Sequence, residues 1–212
     1  MKYVFVHGLG QDSSSWENTI SFMGETTRIS HPDVFDLLKD NKTTYNNLYL
    51  AFTEYMEEYS EPATLLGLSL GAVLALNYTI DHPKRVRSLI LLAPQYKMPK
   101  LILKVQNIIF RFMPESLFQK LGSSKHDFIQ LTKSMMELDF SKDLTKVQCS
   151  TLVLCGEKDR ANKRAAKKLA AQIPTAEMRT VRGAGHEINV EAPEQLASIL
   201  NEFFLNIGSP NG

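Results

Sequence analysis

Ala63-Thr64-Leu65-Leu66-Gly67-Leu68-Ser69-Leu70-Gly71-Ala72-Val73-Leu74-Ala75-Leu76 decides the fold. Ala63–Leu66 is a short apolar run of the kind that fills a buried strand, and Ala72 to Ile80 opens a helix. Gly67 to Gly71 forms the turn between them and spells G-x-S-x-G. In that context the turn pushes the Ser69 hydroxyl into the open, with a following backbone N–H facing the same space. The flanking glycines allow close backbone approach, and the helix N-terminus favours developing negative charge. From Pro62 to Ile80 there are 19 residues without a charge, the length of a membrane span. Gly67, Ser69, Gly71 and Asn77 interrupt that run, and a buried strand–turn–helix is itself nearly charge-free. The strand–turn–helix reading is therefore preferred to the membrane one.

Outward from this stretch, short apolar runs recur at Tyr3–Val6, Thr27–Ser30, Val86–Ala93, Thr151–Cys155 and Glu177–Val181. Helical patterns separate most of them. Ser14-Ser15-Trp16-Glu17 reads as a capping box for a helix ending at Gly24. Thr43 to Tyr59, Arg160 to Ile173 and Ala192 to Phe204 follow, the last with Pro193 at its first turn. The alternation predicts an α/β fold: a doubly wound, mostly parallel sheet of about six strands. Residues 95 to about 143 carry no convincing strand. Pro99 to Met113, Pro114 to Leu121 and Lys125 to Leu138 read as three helices. Gly122 ends the second, and Ser124-x-x-Asp127 caps the third. The core is thus 1–94 and 144–212, with 95–143 a helical insertion and a frayed tail from Gly208.

A serine needs a base, and the base needs an orienting group. Strand Thr151–Cys155 runs into Gly156-Glu157-Lys158-Asp159, and Glu177–Val181 runs into Gly183-Ala184-Gly185-His186. Both loops lie at C-terminal strand ends, where open parallel sheets build their sites. Ser69, Asp159, His186 is the chain order of a nucleophile, acid and base on this architecture. Asp33, Asp139 and Asp143 are the alternative acids. Tyr3–Val6 runs into His7-Gly8-Leu9-Gly10, another strand-end loop. Oxyanion donors are then the backbone N–H groups of Leu9 and Leu70, and His7 is a structural anchor of its loop.

The set His7-Gly8-Leu9-Gly10 with Trp16, Gly67-Leu68-Ser69-Leu70-Gly71, Leu154-Cys155-Gly156-Glu157-Lys158-Asp159 and Gly183-Ala184-Gly185-His186 resembles the α/β-hydrolase superfamily. Asp81-His82-Pro83-Lys84-Arg85-Val86, leading into Leu89–Pro94, resembles it too. The resemblance implies Ser69 as nucleophile, Asp159 as acid, His186 as base, Leu9 and Leu70 as oxyanion donors, and 95–143 as a short helical cap. Members of the superfamily usually have two strands before the His-Gly loop, so the sheet expected here lacks those first two. Serine at 69 argues against dehalogenases and epoxide hydrolases, which resemble this fold but use aspartate.

Composition agrees with an ordinary globular chain. The 212 residues are 43% hydrophobic and 22% charged, which excludes a disordered, collagenous or coiled-coil chain. A net charge of +1 gives no reason to expect nucleic acid. The basic run Lys158, Arg160, Lys163, Arg164, Lys167 and Lys168 suits a solvated helix face. The N-terminal apolar run is too short for a signal peptide. Cys149 and Cys155 are too far apart along a strand to bridge, which points to the cytoplasm. The expected function is a serine hydrolase, a carboxylesterase acting on small esters, with no cofactor, no metal and no stable membrane insertion. Its oligomeric state is left open. Thioester, lactone, amide or C–C substrates fit the same residues, and a non-catalytic small-molecule binder is the rival of another class. Between Lys97 and Lys125 lie six basic residues against the single acid Glu115. The expected arrangement turns the apolar face of these helices down over the site, Phe112 included, with lysines in water. The alternative rests that face on an anionic lipid surface.

Overall fold

The computed structural model describes residues 2–24, 28–119 and 124–208. Side-chain alternation builds two cores on the two faces of one sheet. Val4, Val6, Leu65, Leu89, Leu91 and Val153 point to one side. Phe5, Leu66, Leu68, Ile90, Leu92 and Leu154 point to the other. The strands are β1 (Tyr3–Val6), β2 (Ile29–Ser30), β3 (Ala63–Leu68), β4 (Val86–Leu92), β5 (Ser150–Gly156) and β6 (Ala176–Val181). Their order is β2-β1-β3-β4-β5-β6, and every pairing is parallel. The central strands are buried on both faces, as their nearly unbroken apolar runs require.

Helices cover both faces, so the sheet is doubly wound as expected. On the first face lie α2 (Tyr45–Glu57) and α3 (Leu70–Asp81), whose Leu48, Phe52, Val73 and Leu76 join the core. On the second lies α9 (Pro193–Gly208), which inserts Leu196, Leu200 and Phe203 beside Trp16. The remaining helices are α1 (Glu17–Ser21), α4 (Lys100–Phe112), α5 (Glu115–Gln119), α6 (Lys125–Met135), α7 (Arg160–Ala170) and α8 (Ile188–Glu191). Among the described residues no helix is long and apolar enough to cross a membrane.

Several boundaries differ from the sequence reading. The expected capping box at Ser14 is an Asp12 cap on a 3-10 turn, with the Asp12 side chain accepting from the Ser14 N–H. An aspartate there can accept from the donors a helix start leaves open. The helix that follows ends at Ser21, short of Gly24. β3 continues to Leu68 and α3 begins at Leu70, so the expected five-residue turn is reduced to Ser69. Ser124 caps α6 as expected, accepting from the Asp127 N–H at 3.1 Å. Thr27, Leu121, Gly122 and the tail beyond Gly208 lie outside the described residues.

The largest departure concerns α4. Its apolar residues fall into two arcs, not one. Leu103 and Phe110 face inward, while Leu101, Val105, Ile108, Ile109 and Phe112 are exposed, Phe112 at 86%. The expectation that Phe112 lines a pocket is therefore wrong. An aromatic cluster of Phe110, Phe118 and Phe128, with ring centroids 5.2–6.1 Å apart, fills the space beneath instead.

Candidate active site

Strand order brings the C-terminal ends of β1, β3, β5 and β6 to one edge of the sheet. At the end of β3, Ser69 takes φ 52°, ψ −107°, a conformation that disfavours any residue with a Cβ. It is held there by its neighbours. Its N–H donates to the Leu92 carbonyl at 3.0 Å, and its carbonyl accepts from Val73 at 3.1 Å. A Cβ on Gly67 would lie 2.2 Å from the Gly71 carbonyl oxygen, and one on Gly71 would lie 2.2 Å from that of Val6. Both glycines are thus demanded by close backbone crossing. The Ser69 side chain caps nothing in the helix it starts, and it lines a cavity of about 440 Å³.

His186 lines the same cavity from the loop after β6. Its Nδ1 donates to Asp159 Oδ2 at 2.9 Å. Asp159 is almost wholly buried and caps α7, its Oδ1 accepting from the Asn162 N–H at 3.1 Å. Burial pushes its carboxyl pKa up. The hydrogen bonds from His186 and Asn162 outweigh that and hold it below the usual carboxylate range. The other three candidate acids face elsewhere. Asp33 lies 3.5 Å from His7, Asp139 pairs with Lys97, and Asp143 pairs with Lys146.

The two loops meet main chain to main chain. A Cβ on Gly156 would stand 1.9 Å from the Gly185 carbonyl oxygen. The Lys158 N–H donates to the Ala184 carbonyl at 2.9 Å. On the other side, the Glu191 carboxylate accepts from the N–H groups of Gly185, at 2.7 Å, and Glu187, at 3.1 Å. One side chain thereby grips the backbone immediately before and after His186.

Leu9 and Leu70 line the cavity beside Ser69. The loop carrying Leu9 is fixed by His7, which is fully buried. Its Nδ1 donates to the Gly8 carbonyl at 2.9 Å, and its Nε2 accepts from the Val34 N–H at 3.1 Å. Gln11 and the buried Asn189 exchange amide hydrogen bonds at 3.2 and 3.3 Å, tying this loop to α8. The rest of the cavity is mainly apolar, from Val73, Met98, Leu103, Phe110, Phe118 and Met135.

Sequence reading missed Asn162, Gln95 and Glu191. The Asn162 amide nitrogen donates to both Asp159 oxygens and stands 3.0 Å from His186 Nδ1, while its oxygen accepts from Gln95 at 2.7 Å. An Asn three residues after a capping Asp, in an otherwise basic helix, was the available signal.

Comparison with known proteins bears on the fold and the family. A probable lysophospholipase, BODYGUARD 1 of Arabidopsis thaliana, is 26% identical over 151 residues, covering 63% of this chain. The bifunctional biotin biosynthesis protein BioHC of Cellvibrio japonicus is 22% identical across 95% of this chain. The chain spans 32% and 47% of the lengths of these two relatives. A solved structure from work on carboxylesterases of the archaeon Nitrososphaera gargenis superposes with TM-score 0.83. It is 17% identical, over 97% of this chain and 90% of that one, a likeness of fold alone. The model of the alpha/beta hydrolase family matches residues 3–199, and this chain belongs to that family.

Proposed function

We propose that the chain is a serine hydrolase that cleaves carboxylic esters through an acyl-enzyme. The observation that carries the reading is the 2.9 Å bond from His186 to a buried, ionised Asp159 in the loops beside a strained Ser69. In this reading, Ser69 Oγ attacks the ester carbonyl carbon and His186 Nε2 takes its proton. The Leu9 and Leu70 N–H groups hold the oxyanion. The protonated His186 gives its proton to the departing alkoxide, leaving the acyl group on Ser69. Water then repeats the sequence, His186 accepting its proton, and the carboxylic acid leaves with Ser69 restored. The cycle as written needs neither metal nor organic cofactor.

Asp159 keeps the imidazole in the tautomer that leaves Nε2 free to accept. Residues 95–143 serve as a cap over a core of 1–94 and 144–212, excluding water from the acyl-enzyme. The mainly apolar cavity beneath that segment, lined among the described residues by no Lys, Arg, Asp or Glu, suits an acyl chain better than a charged one. Reaction with a fluorophosphonate probe is the direct test. Labelling should map to Ser69 and vanish in Ser69→Ala. A folded chain that takes no label, or takes it on another serine, would overturn the reading in favour of a binding protein or a different nucleophile. A series of chromogenic esters of increasing acyl length then defines the substrate class.

A further inference from the structure

α4 has two working faces. At about 100° per residue, Leu103 and Phe110 fall on one side, against the cavity. Leu101, Val105, Ile108, Ile109 and Phe112 fall within an arc of about 100° on the other. Leu101 is 76% exposed and Phe112 86%. The arc is a ridge and not a groove, so it offers no slot for a partner's helix. Lys104 and Arg111 lie together along one flank of that arc, and no acid occurs anywhere in the helix. Among the described residues neither Lys104 nor Arg111 has an ion-pair partner, whereas Lys97 and Lys100 are paired with Asp139 and Glu137. A large exposed apolar patch edged by unpaired cations needs an occupant that is both oily and negative.

We propose that the outer face of α4 docks this protein onto an anionic lipid bilayer, with Ile108 and Phe112 at the acyl boundary and Lys104 and Arg111 among the headgroups. A helix lying in the interface has this distribution of side chains, and anionic headgroups attract such cations. A second copy of the chain is a poorer fit. An antiparallel two-fold pairing of α4 on itself would set the same cationic flanks against each other. Leu117 of α5 lines the cavity and is itself exposed, so the cavity reaches the surface there. The docking depends on the ridge alone and not on the chemistry proposed for Ser69.

Co-sedimentation of the full chain with vesicles tests this directly. One set contains phosphatidylcholine and phosphatidylglycerol in equal parts, and the other contains phosphatidylcholine alone. The wild type should pellet with the mixed vesicles, and high salt should release it. Ile108→Glu with Phe112→Glu should lower the partition coefficient on the order of tenfold or more. Lys104→Glu with Arg111→Glu should lower it by a similar factor, about fivefold for each cation. All four positions are off the core, and circular dichroism checks that each variant folds. If the acidic pair at 108 and 112 fails that check, the charge-reversal pair carries the test. A wild type that stays in the supernatant with mixed vesicles overturns the proposal. So does binding that neither pair of substitutions alters. A dimer in sedimentation equilibrium that Phe112→Glu dissociates, with no vesicle binding, would assign the ridge to self-association instead.

Discussion

The two carboxylate oxygens of Asp159 face different groups, Oδ1 the start of α7 and Oδ2 the ring of His186. Asparagine caps a helix as well as aspartate, so Asp159→Asn leaves the cap and removes only the ionic partner of the imidazole. Its amide would favour the wrong tautomer, and kcat should fall on the order of 10⁴, read with a soluble chromogenic ester. The same variant isolates a pH effect. The folded carboxyl sits below its ordinary range, so its stabilising bonds are fully present above the unfolded value of about 3.9 and disappear as pH falls through the lower folded one. The melting temperature of the wild type should exceed that of Asp159→Asn at neutrality, and the gap should close in acid. A gap independent of pH would show that the carboxylate charge contributes nothing. Asp159 and His186 were legible because each ends a strand-end loop. Asn162 was harder to read: its spacing from the capping aspartate hints at a partner, but the turn of its amide back toward both of them is set by the fold.

Between β3 and α3 a single residue makes the whole turn, and that economy rests on Gly67 and Gly71. Gly71→Ala would drive a Cβ to 2.2 Å from the Val6 carbonyl oxygen, which is backbone and can yield only by moving β1. Urea unfolding should show a loss of about 3 kcal/mol. The short helix α8 has a separate task, holding the loop of His186 through Glu191. Glu191→Ala should cost about tenfold to a hundredfold in kcat with KM little changed, because the base is displaced and not removed. Glu191→Gln keeps one acceptor and should recover part of the loss; equal effects from both would point to the charge and not the grip. Element types were mostly readable from periodicity, as the six strands and the three helices after β4 illustrate. The facing of α4 was not. Its apolar residues occupy two arcs, and nothing local in the sequence says which arc meets the core and which meets the outside.

At the scale of the molecule, a sheet ordered β2-β1-β3-β4-β5-β6 gathers loops from Leu9, Ser69, Asp159 and His186, far apart in sequence, at one edge. Strand alternation with helices made a parallel sheet legible, but the order of strands depends on crossovers that composition does not encode. The cavity belongs to this scale as well, since β-edge loops form its floor and α4 to α6 its walls. Leu103→Ala should enlarge it and move the preferred ester toward longer acyl chains, measured as kcat/KM across the series; an unchanged preference would place the chain elsewhere. The walls and the floor are built from different materials. Where Gly156 passes the Gly185 carbonyl there is no room even for a methyl group, so the spacing between the Asp159 loop and the His186 loop is written in main chain. The cavity side chain that reaches both loops is Asn162, at the start of α7. On the proposed reading, the remaining lining recognises a substrate and these loops react with it. Random diversification of Val73, Met98, Leu103 and Met135 should yield catalysts of altered appetite whose serine keeps its native rate toward a small phosphonylating agent. That modularity makes the scaffold a good starting point for directed evolution.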